Sequence, residues 1–198
     1  MKDGEIIYEK NLRIIKKKYR VSRIWVKRGK GKVNKEKLRR ILERIKRENR
    51  LLRKTLKIYT KKLYKERYFH KPLKVLRIST PFGAKRILNG KKRYIHWGVD
   101  FRARRGTPVY ASLSGKVVLA RRFYLTGNTV VINHGLGIYT LYAHLDKILV
   151  KEGKFVNAGQ TIGKVGSTGR STGPHLHFGI YINDVKVDPI LAFKLKLD

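Results

Sequence analysis

The stretch that decides the fold is residues 173–182, which read Gly-Pro-His-Leu-His-Phe-Gly-Ile-Tyr-Ile. In an extended strand, residues two apart point to the same face. His175 and His177 would therefore project together, and the opposite face would carry Leu176, Phe178, Ile180 and Ile182. These apolar side chains need a core to fill, so the pattern predicts a strand with one buried face. The two histidines would face away from that core.

Two further segments carry residues of the same chemistry. His96 and Asp100 are four residues apart, which places both on one side of an extended segment or of a helical turn. His144 ends the run Ile138-Tyr-Thr-Leu-Tyr-Ala-His. Strict strand alternation predicts that it shares a face with Thr140 and Tyr142, opposite an apolar face made by Tyr139, Leu141, Ala143 and Leu145.

Four histidines and one carboxylate have the chemistry of a catalytic zinc site. Zinc prefers imidazole nitrogen and carboxylate oxygen, and a catalytic site uses three protein ligands with one position open for water. If three of the five candidate residues bind the metal, two remain for proton transfer. Any single pair could be an ordinary core or surface histidine motif. Three separate strand-borne elements in one small β-rich region favour a metal site.

Other polar residues are predicted to lie outside this site. His70 is expected at the surface, and His134 and Asp184 are expected in turns, as is the Asp188-Pro189 pair. The glycine-rich residues 163–174 precede a strand and lack the following helix that a phosphate-binding loop requires. They are instead predicted to form the loop that delivers His175.

The composition is strongly basic. The chain has 49 Lys and Arg against 13 Asp and Glu, a formal net charge of +36, which predicts an anionic partner. A nucleic-acid-binding protein is a remote alternative, and the helical spacing of the aromatic residues around Tyr59–Phe69 is more typical of a core stripe. The absence of cysteine excludes a disulfide framework and a cysteine-based zinc finger.

The two halves of the chain differ in character. Residues 5–28 alternate loosely between apolar and basic side chains, which indicates two or three short strands. An amphipathic repeat predicts a helix over residues 34–68, capped by Asn34 and about 45–50 Å long. It would lie along the following domain, although its heptad spacing also allows a coiled coil with Asn49 setting the register. From residue 72 onward, glycines divide short β-branched and aromatic runs, which is typical of a nearly all-β region.

No stretch approaches the roughly 18 apolar residues of a membrane span, and residues 1–10 contain no apolar leader core. Met1 is the only methionine. We expect that a secretion signal or anchor has been trimmed or is absent from this chain.

Residues 72–193 resemble the lysostaphin-type zinc metallopeptidases. The resemblance is carried by His96-Trp-Gly-Val-Asp100, Tyr142-Ala-His-Leu145 and Gly173-Pro-His-Leu-His-Phe178, in the order in which that family has them. It covers about three-fifths of the chain. One departure from the pattern is Gly179. Many members of the family carry Glu at this position and others carry Gly, so the glycine indicates a subgroup of the family and not a loss of activity.

The resemblance implies a mainly β fold, in which an antiparallel sheet with an open groove is preceded by a long helix and a short β-rich segment. The resemblance gives residues 1–33 as the short β-rich segment, or alternatively as the end of a larger β-domain, 34–71 as the helix and linker, and 72–198 as the peptidase domain. It also implies one Zn²⁺ per chain, bound by His96, Asp100 and His177. His144 and His175 would be the catalytic histidines, with His175 favoured as the base and His144 as the stabilising group.

The implied activity is hydrolysis of peptide bonds in peptidoglycan cross-links or stem peptides, in the periplasm or outside the cell. The implied partners are peptidoglycan and anionic wall polymers, which agrees with the charge. The alternative is a catalytically silent scaffold that binds peptidoglycan or activates another wall hydrolase. Such proteins usually lose ligands, whereas all five positions are present here.

Overall fold

The computed structural model describes residues 18–24, 34–61, 68–88, 90 and 92–197. Its two helices are α1 (Lys35–Thr55) and α2 (Pro189–Ala192). The strands, in chain order, are β1 (Val21–Ile24), β2 (Ile78–Thr80), β3 (Lys85–Leu88), β4 (Lys92–Ile95), β5 (Val99–Arg102), β6 (Pro108–Tyr110), β7 (Gly115–Phe123), β8 (Gly127–Gly135), β9 (Ile138–Ile148), β10 (Phe155–Val156), β11 (Thr161–Val165), β12 (His175–Ile182) and β13 (Val185–Val187).

Most strands belong to one antiparallel sheet. Its central path runs β10-β7-β8-β9-β12-β5-β2, with β13 paired to β12 and with β11 paired to β6 and β9. In this order β12 lies between β9 and β5, so the three strands that carry the predicted site residues are neighbours. The predicted mainly β, antiparallel fold is confirmed.

The faces of β12 follow the predicted alternation. Leu176 and Phe178 are fully buried and Ile180 is 1% exposed. They belong to the main core, which also contains Phe101, Val130, Ile132, Tyr142 and Leu145. Phe193, directly after α2, stacks on Phe178 with ring centroids 6.0 Å apart. His175 and His177 lie on the other face, as expected.

The predicted alternation along β9 is wrong at its end. Asn128 and Val130 of β8 are separated by one residue, but their partners Leu145 and Tyr142 are separated by two. The extra residue is a β-bulge, and His144 within it adopts a positive φ of 61°. Tyr142 and Leu145 therefore both reach the main core. The bulge turns His144 to the opposite face, where its ring meets those of β12.

Helix α1 begins as predicted and ends early. The Asn34 side chain accepts a hydrogen bond from the Lys37 amide at 2.9 Å, which caps the first turn. The helix ends at Thr55 rather than near residue 68; residues 56–61 are not helical, and residues 62–67 lie outside the described part of the chain. Tertiary hydrogen bonds account for this end, because the Tyr139 hydroxyl and the Leu136 amide donate to the Ile58 and Thr60 carbonyls.

The C-terminal half of α1 packs on the sheet, as predicted for a helix laid along the domain. Leu56 is 6% exposed and belongs to a second core on the face opposite the main one. Leu52 packs against that second core, whose other members are Leu119, Phe123, Val131, Tyr139, Leu141, Ala143 and Tyr181. Ala143 pairs with His177 across β9 and β12. The face that α1 covers is therefore continuous with the face that carries the histidines.

The N-terminal region contributes β1, which pairs in parallel with β3 in a small sheet completed by β4. The other strands predicted within residues 5–28 lie outside the described residues, apart from positions 18–20, which are not in a strand. Neither helix in the described part of the chain combines the length and apolar composition that a membrane crossing needs.

Several polar residues outside the site can now be placed. His70 is exposed, and Asp184 has a φ of 66° in the turn between β12 and β13, so both predictions are confirmed. Asp188 caps α2 through its side chain, and Pro189 opens that short helix, in place of the predicted simple turn. His134 was expected in a turn, but it lies in β8 and is fully buried. The Ser114 carbonyl and the Thr140 hydroxyl hydrogen-bond its ring nitrogens at 2.9 and 2.7 Å, which makes burial possible.

Candidate metal centre and active site

Three side chains converge near the start of β5 and the start of β12. Nε2 of His96 lies 2.9 Å from Oδ1 of Asp100 and 3.0 Å from Nδ1 of His177. Nδ1 of His177 lies 2.8 Å from the same Asp100 oxygen. Asp100 and His177 are directly opposite each other in the β5–β12 register, so the strand pairing brings these two side chains together. The sheet thus joins residues that are 77 positions apart in the sequence.

The backbone around His96 orients its ring. Nδ1 of His96 donates a hydrogen bond to the Pro81 carbonyl at 3.1 Å. This fixes the tautomer in which Nε2 carries the lone pair, directed at Asp100 and His177. A backbone carbonyl behind a histidine is the usual support for a metal ligand.

Gly98, between the two residues of the first pair, leaves space for the His177 ring. A Cβ atom at Gly98 would lie 2.7 Å from Cε1 of His177 and 2.6 Å from the Phe178 carbonyl oxygen. Real Cβ atoms do not approach other atoms so closely. The glycine in His-Trp-Gly-Val-Asp is therefore required by the packing of the site.

Electrostatics favour a charged Asp100 carboxylate beside a neutral His177 imidazole. Burial raises the pKa of Asp100, but hydrogen bonds and charge interactions with His177 and His96 outweigh it and hold that pKa well below its usual range. Burial lowers the pKa of His177, against the opposing effect of Asp100. At neutral pH the cluster therefore offers the anionic oxygen of Asp100 and the neutral imidazole of His177, with Nε2 of His96 beside both.

This donor set fits a divalent metal ion. The three atoms lie on residues that bring one negative charge and two lone pairs, which suits an ion that accepts nitrogen and oxygen ligands. Protons alone cannot satisfy all three of these contacts of 2.8–3.0 Å at once. An ion at the centre of the three atoms would do so. The arrangement therefore meets the chemical requirements of a candidate metal site.

His144 lies beside the cluster. Its Nδ1 donates to the Thr168 carbonyl at 2.8 Å, and its own amide donates to the Thr126 carbonyl at 2.8 Å. Its ring centroid is 4.7 Å from that of His175 and 6.1 Å from that of His177. Burial lowers the pKa of His144 to about 4, so the imidazole is neutral at pH 7 with its lone pair on Nε2.

His175 completes the group. Its Nδ1 donates to the Gly173 carbonyl at 2.8 Å, with the Ser171 hydroxyl 3.3 Å away. Its Nε2 is 3.9 Å from Oδ1 of Asp100, too far for a hydrogen bond but close enough for an electrostatic interaction. Residues 166–174 form the predicted connection that leads into His175, whereas residues 163–165 belong to β11.

Sequence reasoning missed the backbone groups that fix the rings. The carbonyls of Pro81, Thr168 and Gly173 each accept a hydrogen bond from one of the histidines. Backbone carbonyls leave no mark in a residue pattern. The only available signal was the glycine-rich loop itself, whose function in holding His144 as well as His175 was not predicted.

Comparison with known proteins agrees with this geometry. The profile of Peptidase family M23 matches residues 94–189. The peptidoglycan DD-endopeptidase ShyA of Vibrio cholerae is 47% identical over 117 residues, which are 59% of this chain and 27% of that protein. The chain thus spans about a quarter of the length of the curated relatives it matches.

Two solved structures extend the comparison to the fold. A zinc-containing peptidase from Vibrio cholerae matches with a TM-score of 0.61 and 40% identity, over 67% of this chain and 41% of that one. The catalytic domain of lysostaphin from Staphylococcus simulans matches with a TM-score of 0.53 and 39% identity, over 60% of this chain and 92% of the domain. The predicted resemblance is confirmed, and the chain belongs to peptidase family M23.

Proposed function

We propose that this protein is a zinc-dependent endopeptidase that hydrolyses peptide bonds in peptidoglycan. The observation that carries the proposal is the convergence of His96, Asp100 and His177, with His144 and His175 directly beside them. Three ligands and two further imidazoles are what hydrolysis by activated water requires. No other group of three or more potential metal ligands occurs among the described residues.

In this proposal His96, Asp100 and His177 bind one Zn²⁺. The ion, when bound, lowers the pKa of a water ligand towards about 7 and polarises the scissile carbonyl. The zinc-containing relative from Vibrio cholerae supports the choice of metal. One carboxylate against a divalent cation leaves the centre with a net positive charge, which favours attack on a carbonyl.

The two remaining histidines would move protons. Because Nδ1 of His144 donates to a backbone carbonyl, Nε2 carries the lone pair and can accept a proton from the attacking water. Nε2 of His175 lies 3.9 Å from Oδ1 of Asp100, on the open side of the cluster, and this histidine would donate a proton to the leaving amine. These two roles are the reverse of those favoured from the sequence, in which His175 was the base and His144 the stabilising group.

Peptidoglycan is proposed as the substrate on two grounds. The relative ShyA is named a peptidoglycan DD-endopeptidase, and the net charge of +36 suits an anionic polymer. Action on such a substrate would place the protein in the periplasm or elsewhere in the cell envelope. The basic surface would raise the rate of encounter, and added salt would reduce that gain.

The test is digestion of purified peptidoglycan, with the released muropeptides identified by mass spectrometry. We expect cleavage by the zinc-loaded protein, loss of cleavage after chelation, and recovery when zinc is restored. His96→Ala should be inactive, while His70→Ala, which changes an exposed histidine outside the site, should be fully active. Binding to peptidoglycan with no released fragment would instead support the silent scaffold.

A further inference from the structure

A cationic pocket adjoins the site on the side of His144. We use the term cationic pocket for the cavity of about 590 Å³ that is lined by Arg44, Arg122, Phe123, Tyr124, Gly169 and Arg170. Three arginines from three separate elements meet there, namely α1, β7 and the loop before β12. Nothing in the chemistry proposed above uses them.

Arg44 is held in position from two sides. Its Nε donates to Oε1 of Glu48 at 2.7 Å, and its guanidinium lies 5.7 Å from the ring centroid of Tyr124. Oε2 of Glu48 accepts a hydrogen bond from the Tyr124 amide at 2.7 Å. Glu48 thus fixes the arginine and the wall of the pocket together, which reduces the entropy lost when a ligand binds.

The other two guanidinium groups have no acidic neighbour of their own. Arg122 and Arg170 are exposed, and neither forms an ion pair within the portion of the chain that the structure describes. Among the residues that the structure describes, Glu48 is the only carboxylate paired to an arginine of the pocket. Three positive charges and one negative charge give a local net charge of 3 − 1 = +2. Such a pocket favours an anion.

The backbone of the cationic pocket is also the backbone that holds His144. Arg170 follows Thr168 by two residues, and its amide donates to the Leu125 carbonyl at 2.8 Å. Tyr124 precedes Thr126, whose carbonyl accepts the His144 amide, by two residues. A ligand in the pocket therefore lies against the two chain segments that position His144.

We propose that the cationic pocket is a substrate subsite that binds a carboxylate of the peptide being cleaved. This inference rests on the proposed function. Arginine binds carboxylate through two parallel hydrogen bonds, so that it fixes orientation as well as charge. The pocket would thereby place the peptide relative to His144 and select peptides with a carboxylate at one fixed distance from the scissile bond.

The test uses synthetic peptidoglycan-type peptides in matched pairs, each pair offering a carboxylate or the corresponding amide. One pair differs at the C-terminus and the other at a side chain, which separates the two possible sources of the carboxylate.

For Arg170→Gln and Arg122→Gln we expect KM to rise about tenfold for the carboxylate peptide of one pair, because each variant loses one charged contact. The kcat for that peptide and both constants for its amide partner should stay within twofold. Arg47→Gln, which removes an arginine of α1 that does not line the pocket, should match the wild type.

Equilibrium binding of the same peptides, followed by NMR titration, separates this inference from the proposed function. A wild-type protein that cleaves no peptide but still prefers a carboxylate over its amide, with the preference lost in Arg170→Gln, would support the pocket and contradict the endopeptidase. Equal affinity for carboxylate and amide in both pairs, or an equal change for both partners in the arginine variants, would overturn the pocket.

Discussion

The carbonyl of Thr168 holds the ring of His144, accepting a hydrogen bond from Nδ1 at 2.8 Å. Thr168 is itself fixed by its hydroxyl, which accepts from the Asn128 amide at 2.9 Å and donates to the Leu145 carbonyl at 2.7 Å. Gly127 lies so close that a Cβ atom there would be 2.3 Å from Oγ1 of Thr168. The loop before β12 is thereby bound to β8 and to β9, the strand that carries His144.

Thr168→Ala should reduce turnover without releasing the metal. It removes two partly buried hydrogen bonds, at a cost of about 1–3 kcal/mol in stability, and frees the carbonyl that orients His144. We expect kcat for peptidoglycan-type peptides to fall about tenfold, equivalent to 1.4 kcal/mol in the barrier, with zinc content unchanged. Thr168→Ser keeps the hydroxyl and should restore most of the activity. Zinc loss in the alanine variant, or failure of the serine variant to recover, would contradict this role.

Gly98→Ala should weaken metal binding. The added methyl would overlap the His177 ring and the Phe178 carbonyl, so that ring or backbone must move, at a cost of about 1–3 kcal/mol. Zinc affinity, measured by competition with a chelating dye, should fall at least tenfold. Gly179→Ala is the matched control on β12, because its Cβ would meet only ordinary contacts at 3.6 Å and beyond. Equal zinc affinity in the two variants would refute the steric argument.

Leu56→Ala should destabilise the domain, although Leu56 lies outside residues 94–189, which the family profile matches. Leu56 is 6% exposed within the second core, and truncation of such a side chain costs about 2–5 kcal/mol. Leu38→Ala, on the same amphipathic repeat but 44% exposed, should change stability by less than about 0.5 kcal/mol. Urea denaturation of both variants measures the difference, and equal losses would show that α1 does not dock as described.

Much of the site could be predicted because β12 is regular. Its period of two separates Phe178 from His177, and burial over residues 175–178 follows that pattern. The spacing of His96 and Asp100 was informative for the same reason. Both inferences needed only local geometry, which the sequence encodes directly.

The structural predictions that were wrong have a common physical cause, which is contact between segments that are distant in the sequence. The bulge at His144 arises from pairing between β8 and β9, which no residue pattern within β9 reveals. The end of α1 at Thr55 is set by hydrogen bonds from Tyr139 and Leu136, without a glycine or proline to announce it. His134 resembles a turn residue in sequence, yet a buried hydroxyl and carbonyl satisfy its ring.

The most direct test of the central claim is the zinc-to-protein ratio of three purified proteins, measured by plasma mass spectrometry beside their release of muropeptides. We predict about one zinc in the wild type and in His144→Ala, and almost none in His177→Ala. Both variants should release no muropeptides, because one lacks a proton acceptor and the other lacks the metal. A His177→Ala protein that keeps its zinc and its cleavage, or a metal-free wild type that still degrades peptidoglycan, would contradict the account.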